Sequence, residues 1–310
     1  MAVVTALEDV LDRVDRTLAR VGERFPLHAD PVTGEWRTTA RGSWAAGCWV
    51  GLLWLRAKAT GAVREAEAWS RKLACWADAD TATQGLIFWY GAAAGERLGL
   101  SDEPVALARR GARSLAGRFD ARAGVVPWGT AFGDDAVVRA RVDGVPGTLP
   151  LLAWAGEEDI ARAHAGWHLR LCRERAGWWW DGQTWWPEDE PPVGWSRGEA
   201  WWLLAAADAR TWFKQDLVVP EWPGLVPHAR RGGGPLDTSA AAIAAVALLK
   251  LGRHEQAAAV LRELEERHLV EGRLVDGCYD PHVGRELVWG DFFFALALAI
   301  EAVLVTAHAL

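Results

Sequence analysis

The segment DTSAAAIAAVALLKLGRHEQAAAVLRELEERH, residues 237–268, contains two successive helical patterns of different character. Residues 240–251 are apolar on every side of a helix, whereas residues 255–268 carry charges on one face and apolar side chains on the other. A helix that is apolar all round is buried, while an amphipathic helix covers a core and faces water. The segment therefore predicts an inner helix followed by an outer helix that packs over it.

The same alternation recurs along the chain. Residues 44–55 are apolar throughout and residues 292–305 are apolar except for Glu301, whereas residues 62–75 and 105–119 are amphipathic. Helical spacing of apolar residues predominates, and the two-residue alternation typical of strands is rare. The pattern predicts about twelve helices, at residues 2–24, 43–60, 62–78, 84–99, 101–118, 148–156, 157–174, 194–209, 210–217, 236–251, 253–268 and 289–307.

Six buried helices surrounded by six amphipathic ones fit an all-α (α/α)6 barrel. An open helical solenoid is the alternative, but the helix pairs share no repeated consensus of the kind that solenoids show. No Pro/Gly/Ser-rich linker separates two compositions, so we expect residues 1–310 to form a single domain. The chain has 21 Trp against 2 Tyr and 8 Phe. Such a surplus is typical either of a large packed core or of a groove that stacks on flat ligands such as sugars.

Charge and hydropathy exclude several classes of partner. Lys and Arg number 34 against 41 Asp and Glu, a net charge of −7, so nucleic acid is not expected to be a partner. No apolar run reaches the ~18 residues of a membrane span, and acidic residues interrupt the N-terminus where a secretory signal would be apolar. The four cysteines are widely spaced, which is typical of reduced thiols. We therefore expect a cytoplasmic protein without a membrane partner, either monomeric or a homodimer.

The loops that lead into the predicted inner helices hold the candidate functional residues. In a ring of helical hairpins these loops gather at one end and form the mouth of the barrel. They contain Ser43-Trp44, Thr83-Gln84-Gly85, Asp143, Trp195-Ser196-Arg197, Asp237 and Trp289-Gly290-Asp291. Long connections around the same mouth contribute Trp128, Trp178, Trp179, Trp180, Trp185 and Trp186. An Arg among so many rings favours a flat, acidic ligand such as a sugar acid.

Each polar candidate also has a structural interpretation. Asp237 and Asp291 precede apolar helices and are natural N-caps. Asp143 stands in an Asp-Gly…Pro-Gly stretch where turn chemistry alone favours aspartate. Arg197 either forms an ion pair with Glu199 or Asp291 or holds a ligand carboxylate through two hydrogen bonds.

Metal and cofactor chemistry has no motif to support it. His164 and His168 are four residues apart, but no Glu follows the first, so the zinc-protease helix is absent. We expect these two histidines to be solvated on an outer helix. Gly232-Gly233-Gly234 lacks the Lys-Ser/Thr of a phosphate-binding loop. The sequence predicts neither a metal site nor a bound cofactor.

Five blocks occur in a specific order along nearly the whole chain. They are SWAAGCWVGLLWL at 43–55, LAGRF with VVPW at 115–119 and 125–128, GWSRGEAW at 194–201, DTSAAAIAA at 237–245 and WGDFF at 289–293. In these blocks the sequence resembles the unsaturated glucuronyl hydrolases and their unsaturated rhamnogalacturonyl relatives, glycoside hydrolase families 88 and 105. The resemblance implies the (α/α)6 fold as well.

The resemblance implies hydrolysis of a 4,5-unsaturated uronic acid at the non-reducing end of a small acidic saccharide or glycoside. In these families an aspartic acid protonates the enol-ether double bond, and Asp143 matches it. Arg197, Trp195, Trp201 and Trp44 match positions that bind the unsaturated sugar. Trp128, Trp186, Thr83 and Gln84 complete the expected substrate-binding set.

The chain departs from the family pattern at two of these positions. Thr83 stands where the family has a second Asp, with Asp80 the nearest upstream carboxylate, and Trp186 stands where it has a His. Three hypotheses therefore remain open: a divergent hydrolase with an altered site, a degenerate barrel that binds carbohydrate without turnover, and a small-molecule enzyme of specialised metabolism on the same fold.

Overall fold

The computed structural model describes residues 2–215, 217–279 and 282–310, and helices dominate it. In chain order they are α1 (Ala2–Val21), α2 (Ala46–Thr60), α3 (Val63–Lys72), α4 (Gln84–Ile87), α5 (Ala94–Arg97), α6 (Val105–Ala116), α7 (Thr148–Ala155), α8 (Glu158–Leu171), α9 (Ser196–Phe213), α10 (Thr238–Lys250), α11 (His254–Arg267) and α12 (Val288–Glu301). A π-helical segment, Phe88–Ala92, joins α4 to α5 and makes them one rod. None of the described helices has the length and hydropathy of a membrane span.

Six helices form the inner ring of the barrel. Helices α2, α4, α7, α9, α10 and α12 contact one another in that order, and α12 returns to α2. Every residue of α10 is buried, whereas the neighbouring α11 buries only one face, through Ala257, Val260, Leu261 and Leu264. The arrangement confirms the predicted all-α (α/α)6 barrel. Inner and outer helices alternate along it, except that α9 and α10 are consecutive inner helices with no outer helix among the described residues between them.

Glycines allow the inner helices to approach one another closely at their N-terminal ends. A Cβ atom on Gly47 of α2 would lie 2.1 Å from the carbonyl oxygen of Leu86, and one on Gly85 of α4 would lie 2.2 Å from the backbone nitrogen of Thr148. Backbone atoms cannot yield as the end of a flexible side chain can. Glycine is therefore required where these helices meet.

Small antiparallel sheets lie in the connections at the mouth of the barrel, and the sequence analysis did not predict them. Their strands are β1 (Phe25–Ala29), β2 (Trp36–Thr39), β3 (Arg139–Arg141), β4 (Gly177–Trp180), β5 (Trp185–Pro187), β6 (His228–Arg230), β7 (Gly233–Leu236), β8 (Leu269–Val270), β9 (Arg273–Leu274), β10 (Gly277–Tyr279) and β11 (His282–Leu287). They pair in the orders β10-β11-β1-β2, β3-β4-β5, β6-β7 and β8-β9. Strands of two to six residues are too short to display a clear period of two.

Several predicted helix boundaries were wrong; the helix predicted at 289–307, for example, ends at Glu301. The expected separate helix at 210–217 does not form, because α9 continues without a break to Phe213. Lys214 then adopts a left-handed conformation with φ 54° and ends the helix.

The expectation that His164 and His168 are solvated was also wrong. Both are buried on the inward face of α8. The Nδ1 atom of His164 accepts a hydrogen bond from the backbone N–H of Val126 at 3.0 Å, and His168 Nδ1 donates to the His164 carbonyl at 2.9 Å. Burial lowers the pKa of His164 well below its ordinary value and that of His168 to about 4. Hydrogen bonds at the two Nδ1 atoms therefore hold imidazoles that the sequence pattern placed in water, while His164 Nε2 is buried without a partner among the described residues.

Replacement of Gly47 by alanine tests the close approach of the inner helices. Glycine to alanine in an exposed helix normally stabilises by about 0.5–1 kcal/mol. We expect Gly47→Ala instead to destabilise the protein by at least about 2 kcal/mol, because the new methyl group strikes backbone oxygens. Gly166→Ala in α8 is the matched control, since nothing lies within 4 Å of its Cβ position. Denaturant unfolding of both variants measures the difference, and equal stability changes would contradict a backbone clash.

Candidate active site

A cleft of about 610 Å³ opens beside the N-terminal ends of the inner helices. Among the described residues, three arginines and one glutamate contribute charges to its lining, and Trp195 and Tyr279 contribute rings. The lining consists of Arg141, Glu190, Pro191, Pro192, Trp195, Arg197, Ala229, Arg230, Gly233, Gly234, Pro235, Cys278, Tyr279 and Val283. Of the residues that the sequence predicts for substrate binding, Arg197 and Trp195 are therefore in the wall of the cleft.

Hydrogen bonds to described residues hold Arg197 through a single nitrogen atom, Nη1. It lies in the first turn of α9, and its Nη1 atom donates to Asp237 Oδ2 at 3.0 Å and to the Cys278 carbonyl at 2.7 Å, with Ser239 Oγ at 3.5 Å. All of its hydrogen bonds to described residues run through Nη1, so Nε and Nη2 retain donors that can serve a ligand. The ion-pair partner is Asp237 and not the Glu199 or Asp291 that the sequence offered; Glu199 pairs with Arg231 at 2.7 Å.

Asp237 is the N-cap of α10, as predicted. Its Oδ1 atom accepts hydrogen bonds from Ser239 N at 3.2 Å and from Ser239 Oγ at 2.5 Å. The same expectation for Asp291 was wrong, because α12 begins three residues earlier, at Val288. Asp291 instead accepts from Leu274 N at 3.2 Å, and burial, followed by the nearby Glu286, raises its pKa well above the ordinary value.

Aromatic rings hold the Arg197 guanidinium in place. Its central carbon lies 5.0 Å from the ring centre of Trp195 and 5.5 Å from that of Trp289. Trp289 in turn contacts Trp44 at 4.7 Å and Tyr279 at 5.2 Å between ring centres. Two rings at these distances limit rotation of the planar guanidinium and reduce its hydration. Trp44, a predicted substrate-binding residue, therefore reaches the cleft wall through Trp289.

Asp143 lies in the short 3-10 helix Val142–Gly144 that follows β3. Its Oδ1 atom is buried and has no hydrogen-bond partner among the described residues. Burial raises the pKa of this carboxyl to about 6, although Arg141 and Arg197 act to lower it, and Asp134 adds to the rise. A carboxyl with such a pKa exists in both protonation states near neutral pH, as a general acid must. Asp143 itself is not in the cleft lining and lies two residues from Arg141, which is.

Trp128 is part of the surroundings of Asp143. The Arg141 guanidinium lies 5.1 Å from the Trp128 ring centre, and the indole N–H donates to Asp134 Oδ2 at 2.9 Å. Asp134 also faces Arg141, with 3.6 Å between Oδ1 and Nη2. A Cβ atom on Gly144 would lie 3.6 Å from the Trp128 ring. Trp128, Asp134 and Arg141 therefore form one polar and aromatic cluster beside the candidate acid.

Thr83 and Gln84 are buried in an internal network and line no part of the cleft. The Thr83 hydroxyl is 2.9 Å from that of Thr81. The Gln84 amide nitrogen donates to the Trp76 and Ala77 carbonyls at 2.6 and 2.9 Å, and its oxygen accepts from Arg118 at 2.6 Å. Both polar atoms of the Gln84 side chain therefore form hydrogen bonds within the protein. A role for Gln84 in substrate binding stays a prediction.

Trp201 and Trp186 also lie outside the cleft lining. Trp201 is buried within α9 and contacts the edge of Phe293 at 5.3 Å between ring centres. Trp186 lies on β5 with 48% of its surface exposed, and its indole N–H donates to Asp181 Oδ2 at 2.7 Å. The structure therefore brings together Arg197, Trp195 and Trp44, and separately Asp143 and Trp128, with Arg141 between the two groups.

The sequence missed several residues of the cleft. Arg141, Arg230 and Tyr279 belong to strands too short to recognise, and Glu190 precedes a cis peptide bond to Pro191. The only available signal was the Arg-Ala-Arg alternation at 139–141, two residues before Asp143. Among the described residues, no group of three or more His, Cys, Asp or Glu side chains could hold a metal ion.

Comparison with solved structures shows which known proteins share this fold. An unsaturated glucuronyl hydrolase specific for heparin matches with a TM-score of 0.82 and 19% identity over 98% of each chain. The enzyme of Bacillus sp. GL1, responsible for the degradation of glycosaminoglycan, matches with a TM-score of 0.76 and 22% identity over 96% of each chain. A UGL structure with dGlcA-Glc-Rha-Glc matches with a TM-score of 0.78 and 23% identity over 96% of each chain.

At such identities the likeness establishes the barrel fold, and function has to be argued from the site. No protein-family model matches the sequence, and none of the curated proteins matches it either.

Replacement of Asp143 by asparagine should stabilise the protein at alkaline pH. The native pKa of about 6 exceeds the ordinary 3.8, so the folded state binds the proton more tightly and loses stability as pH rises from about 4 to 6. Asparagine removes the cost of burying the charge. We expect Asp143→Asn to raise the free energy of unfolding by about 1–3 kcal/mol at pH 8 and by only a fraction of that near pH 4. Denaturant unfolding at the two pH values measures this, and a pH-independent change would contradict a buried, proton-binding carboxyl.

Proposed function

We propose that the chain is a divergent unsaturated glucuronyl hydrolase that acts on a 4,5-unsaturated uronyl saccharide or glycoside. One observation carries the proposal: the Asp143 carboxyl has a raised pKa and an Oδ1 atom without a hydrogen-bond partner among the described residues, and it lies two residues from Arg141 in the wall of a cleft lined by arginines and aromatic rings. The proposal treats residues 1–310 as one domain. The sequence blocks and the shared barrel of the heparin-specific and Bacillus enzymes support it.

The chemistry follows from a substrate that already contains an enol ether. Asp143, protonated, delivers its proton to C4 of the C4–C5 double bond, and positive charge develops at C5 and the ring oxygen. Water adds to C5 and returns a proton to the Asp143 carboxylate. The resulting hemiketal opens to a ketone, and the hemiacetal left at C1 expels the rest of the saccharide. A single carboxyl thus serves as acid and then as base, unlike the carboxylate pair of ordinary glycosidases.

The cleft residues account for recognition of the acidic sugar. The Nε and Nη2 donors of Arg197 are free of bonds to described residues and can hold the uronate carboxylate, while Nη1 remains on Asp237. Trp195 offers a flat face against which a sugar ring can stack. Arg141 stands between the cleft and Asp143, so its charge acts on both the substrate and the acid.

A barrel that binds carbohydrate without turnover is the second candidate. The observation in its favour is that the hydroxyl of Thr83, the residue that the sequence resemblance aligns with the second aspartate of the family, is 2.9 Å from the hydroxyl of Thr81. Asp134, held by Trp128 and Arg141, is a carboxylate whose charge raises the pKa of Asp143. A repurposed small-molecule enzyme would share the barrel and differ in substrate, and metabolite profiling of a knockout would identify it.

Loss of ultraviolet absorbance by the C4–C5 double bond tests the proposed hydrolysis. We expect wild-type protein to remove the absorbance of lyase-generated disaccharides, and Asp143→Asn to lower kcat by about 10²–10⁴ because asparagine supplies no acidic proton. Asp102→Asn, at an exposed position remote from the cleft, is the matched control and should retain wild-type activity. Full activity in Asp143→Asn would overturn its assignment as the acid. Tight saccharide binding by calorimetry with no turnover of any substrate would favour the second candidate.

The pH profile tests the influence of Arg141 on the acid. Because Asp143 acts in its protonated form, kcat/KM should fall about tenfold per pH unit above a midpoint near its pKa of about 6. Arg141 lowers that pKa, so Arg141→Met should move the fall to higher pH, whereas Arg141→Lys keeps the charge and should shift it less. Rates across pH 4–9 for the three proteins measure the midpoints. The same midpoint in all of them would show that Arg141 does not act on the titrating group.

A further inference from the structure

Two buried histidines of α8 have no part in the chemistry described so far. His164, His168 and Cys172, the C-cap of the helix, follow one another at intervals of four residues, so they lie on one face of α8. All three are buried, and the two imidazole rings are 4.0 Å apart between their centres. Burial of an imidazole is costly unless its nitrogen atoms have partners. The groups that this face contacts therefore decide what the buried imidazoles do.

The C-terminal end of this face adjoins the beginning of the turn that carries Asp143, the 3-10 helix Val142–Gly144. The Cys172 thiol lies 3.8 Å from the Ala176 carbonyl oxygen, and that oxygen accepts a hydrogen bond from the Val142 N–H at 2.9 Å. Burial raises the pKa of the Cys172 thiol, and the charge of Asp143 raises it further. The first residue of the turn is thus held by the segment that follows α8.

His164 connects the other end of the turn to residues 125–128. Its Nδ1 atom accepts a hydrogen bond from the Val126 N–H at 3.0 Å, so the ring is neutral and carries its proton on Nε2. Burial, followed by His168, lowers the pKa of His164 well below the ordinary value, and the Gly144 carbonyl opposes this fall. A carbonyl opposes it by facing an N–H of the ring. The imidazole therefore stands between the Val126 N–H and the Gly144 carbonyl.

The two segments that His164 connects surround the candidate acid. Gly144 follows Asp143 directly, and the segment of Val126 continues to Trp128. A Cβ atom on Gly144 would lie 3.6 Å from the Trp128 ring, so the two segments pack together. Burial in this place raises the pKa of the Asp143 carboxyl to about 6. Separation of the segments would admit water to the carboxyl, and hydration favours its charged form.

We propose that His164 is a positioning residue for Asp143, because its neutral ring holds the turn Val142–Gly144 against residues 125–128. The proposal rests on the proposed function only in taking Asp143 as the acid of the reaction. His164 is fully buried, so it acts through the placement of the turn and not on the substrate. Misplacement of a reacting group by about 1 Å can cost about a hundredfold in rate. A residue outside the cleft thereby affects the chemical step.

The pKa of Asp143 tests the positioning role without reference to turnover. Carbon-13 NMR of protein labelled at the aspartate carboxyl carbons measures this pKa, and the Asp143→Asn protein assigns the resonance. We expect His164→Leu to lower the pKa of Asp143 from about 6 to roughly 5 or below, because the loosened turn admits water to the carboxyl. His164→Asn keeps an acceptor at the place of Nδ1 and should lower the pKa less.

His168→Leu is the matched control. His168 is buried on the same face, but its Nδ1 atom donates to the His164 carbonyl within α8 and not to either segment around Asp143. Both leucine variants lose a buried imidazole, so both should lose stability in denaturant unfolding. Only His164→Leu should change the pKa of Asp143.

Kinetics with an unsaturated disaccharide provide a second measurement. We expect His164→Leu to lower kcat by about ten- to a hundredfold and to leave KM near the wild-type value, because the cleft that binds the sugar is unchanged. The midpoint at which kcat/KM falls with pH should move down together with the pKa of Asp143. His168→Leu should keep the wild-type midpoint.

Two results would refute the positioning role. One is an unchanged pKa of Asp143 in His164→Leu, and the other is an equal fall in His168→Leu, which shows a general loosening of the core. If His164→Leu does not fold, His164→Asn and His168→Asn give the same comparison: a fall confined to the first supports the role, and equal falls refute it. If the wild-type protein hydrolyses no unsaturated saccharide while the pKa difference persists, the proposed function fails and the positioning of Asp143 by His164 stands.

Discussion

The buried ion pair between Arg197 and Asp237 joins the barrel to its candidate site. A charge in the interior has to be compensated, and loss of one partner of such a pair typically costs 3–5 kcal/mol. Here the pair connects the first turn of α9 to the N-cap of α10, and the Cys278 carbonyl of β10 accepts from the same Nη1 atom. The position of the guanidinium is thus fixed by the fold before any ligand arrives, which removes much of the entropic cost of ordering a long side chain on binding.

The unsatisfied polar groups of the mouth contrast with that compensated pair. Asp143 Oδ1 and Ser196 Oγ are buried without a hydrogen-bond partner among the described residues, and each lies one or two residues from an arginine of the cleft wall. Orphaned buried groups are uncommon in native proteins, so these two need an explanation. Hydrogen bonds from these groups to a bound ligand would explain them. The raised pKa of Asp143 has the same origin, because burial without compensating partners disfavours the charged carboxylate.

Sequence patterns predicted the barrel because helices of 10–20 residues repeat the 3.6-residue period often enough to reveal which face is buried. The cap at Asp237 followed from local chemistry as well. The short strands offered no such repetition, and with them the sequence missed Arg141, although it lies two residues from Asp143. The buried His164 was missed for a different reason: its compensating bond comes from Val126, a partner 38 residues away. Long-range partners of polar side chains cannot be inferred from periodicity.

The tryptophans fall into two groups, those buried in the helices of the barrel and those at the surface of the mouth. Trp49 and Trp54 are buried in α2, where they contribute apolar volume to the core. Trp195 and Trp179 instead stand at the cleft and on the outer face of a small sheet, where the indole face is available. The barrel sets the distance between the inner helices and leaves the inserted strands free to vary in charge and aromatic content. Differences in substrate among proteins with this fold are therefore expected to reside in those strands, because a change there leaves the glycine contacts of the inner ring untouched.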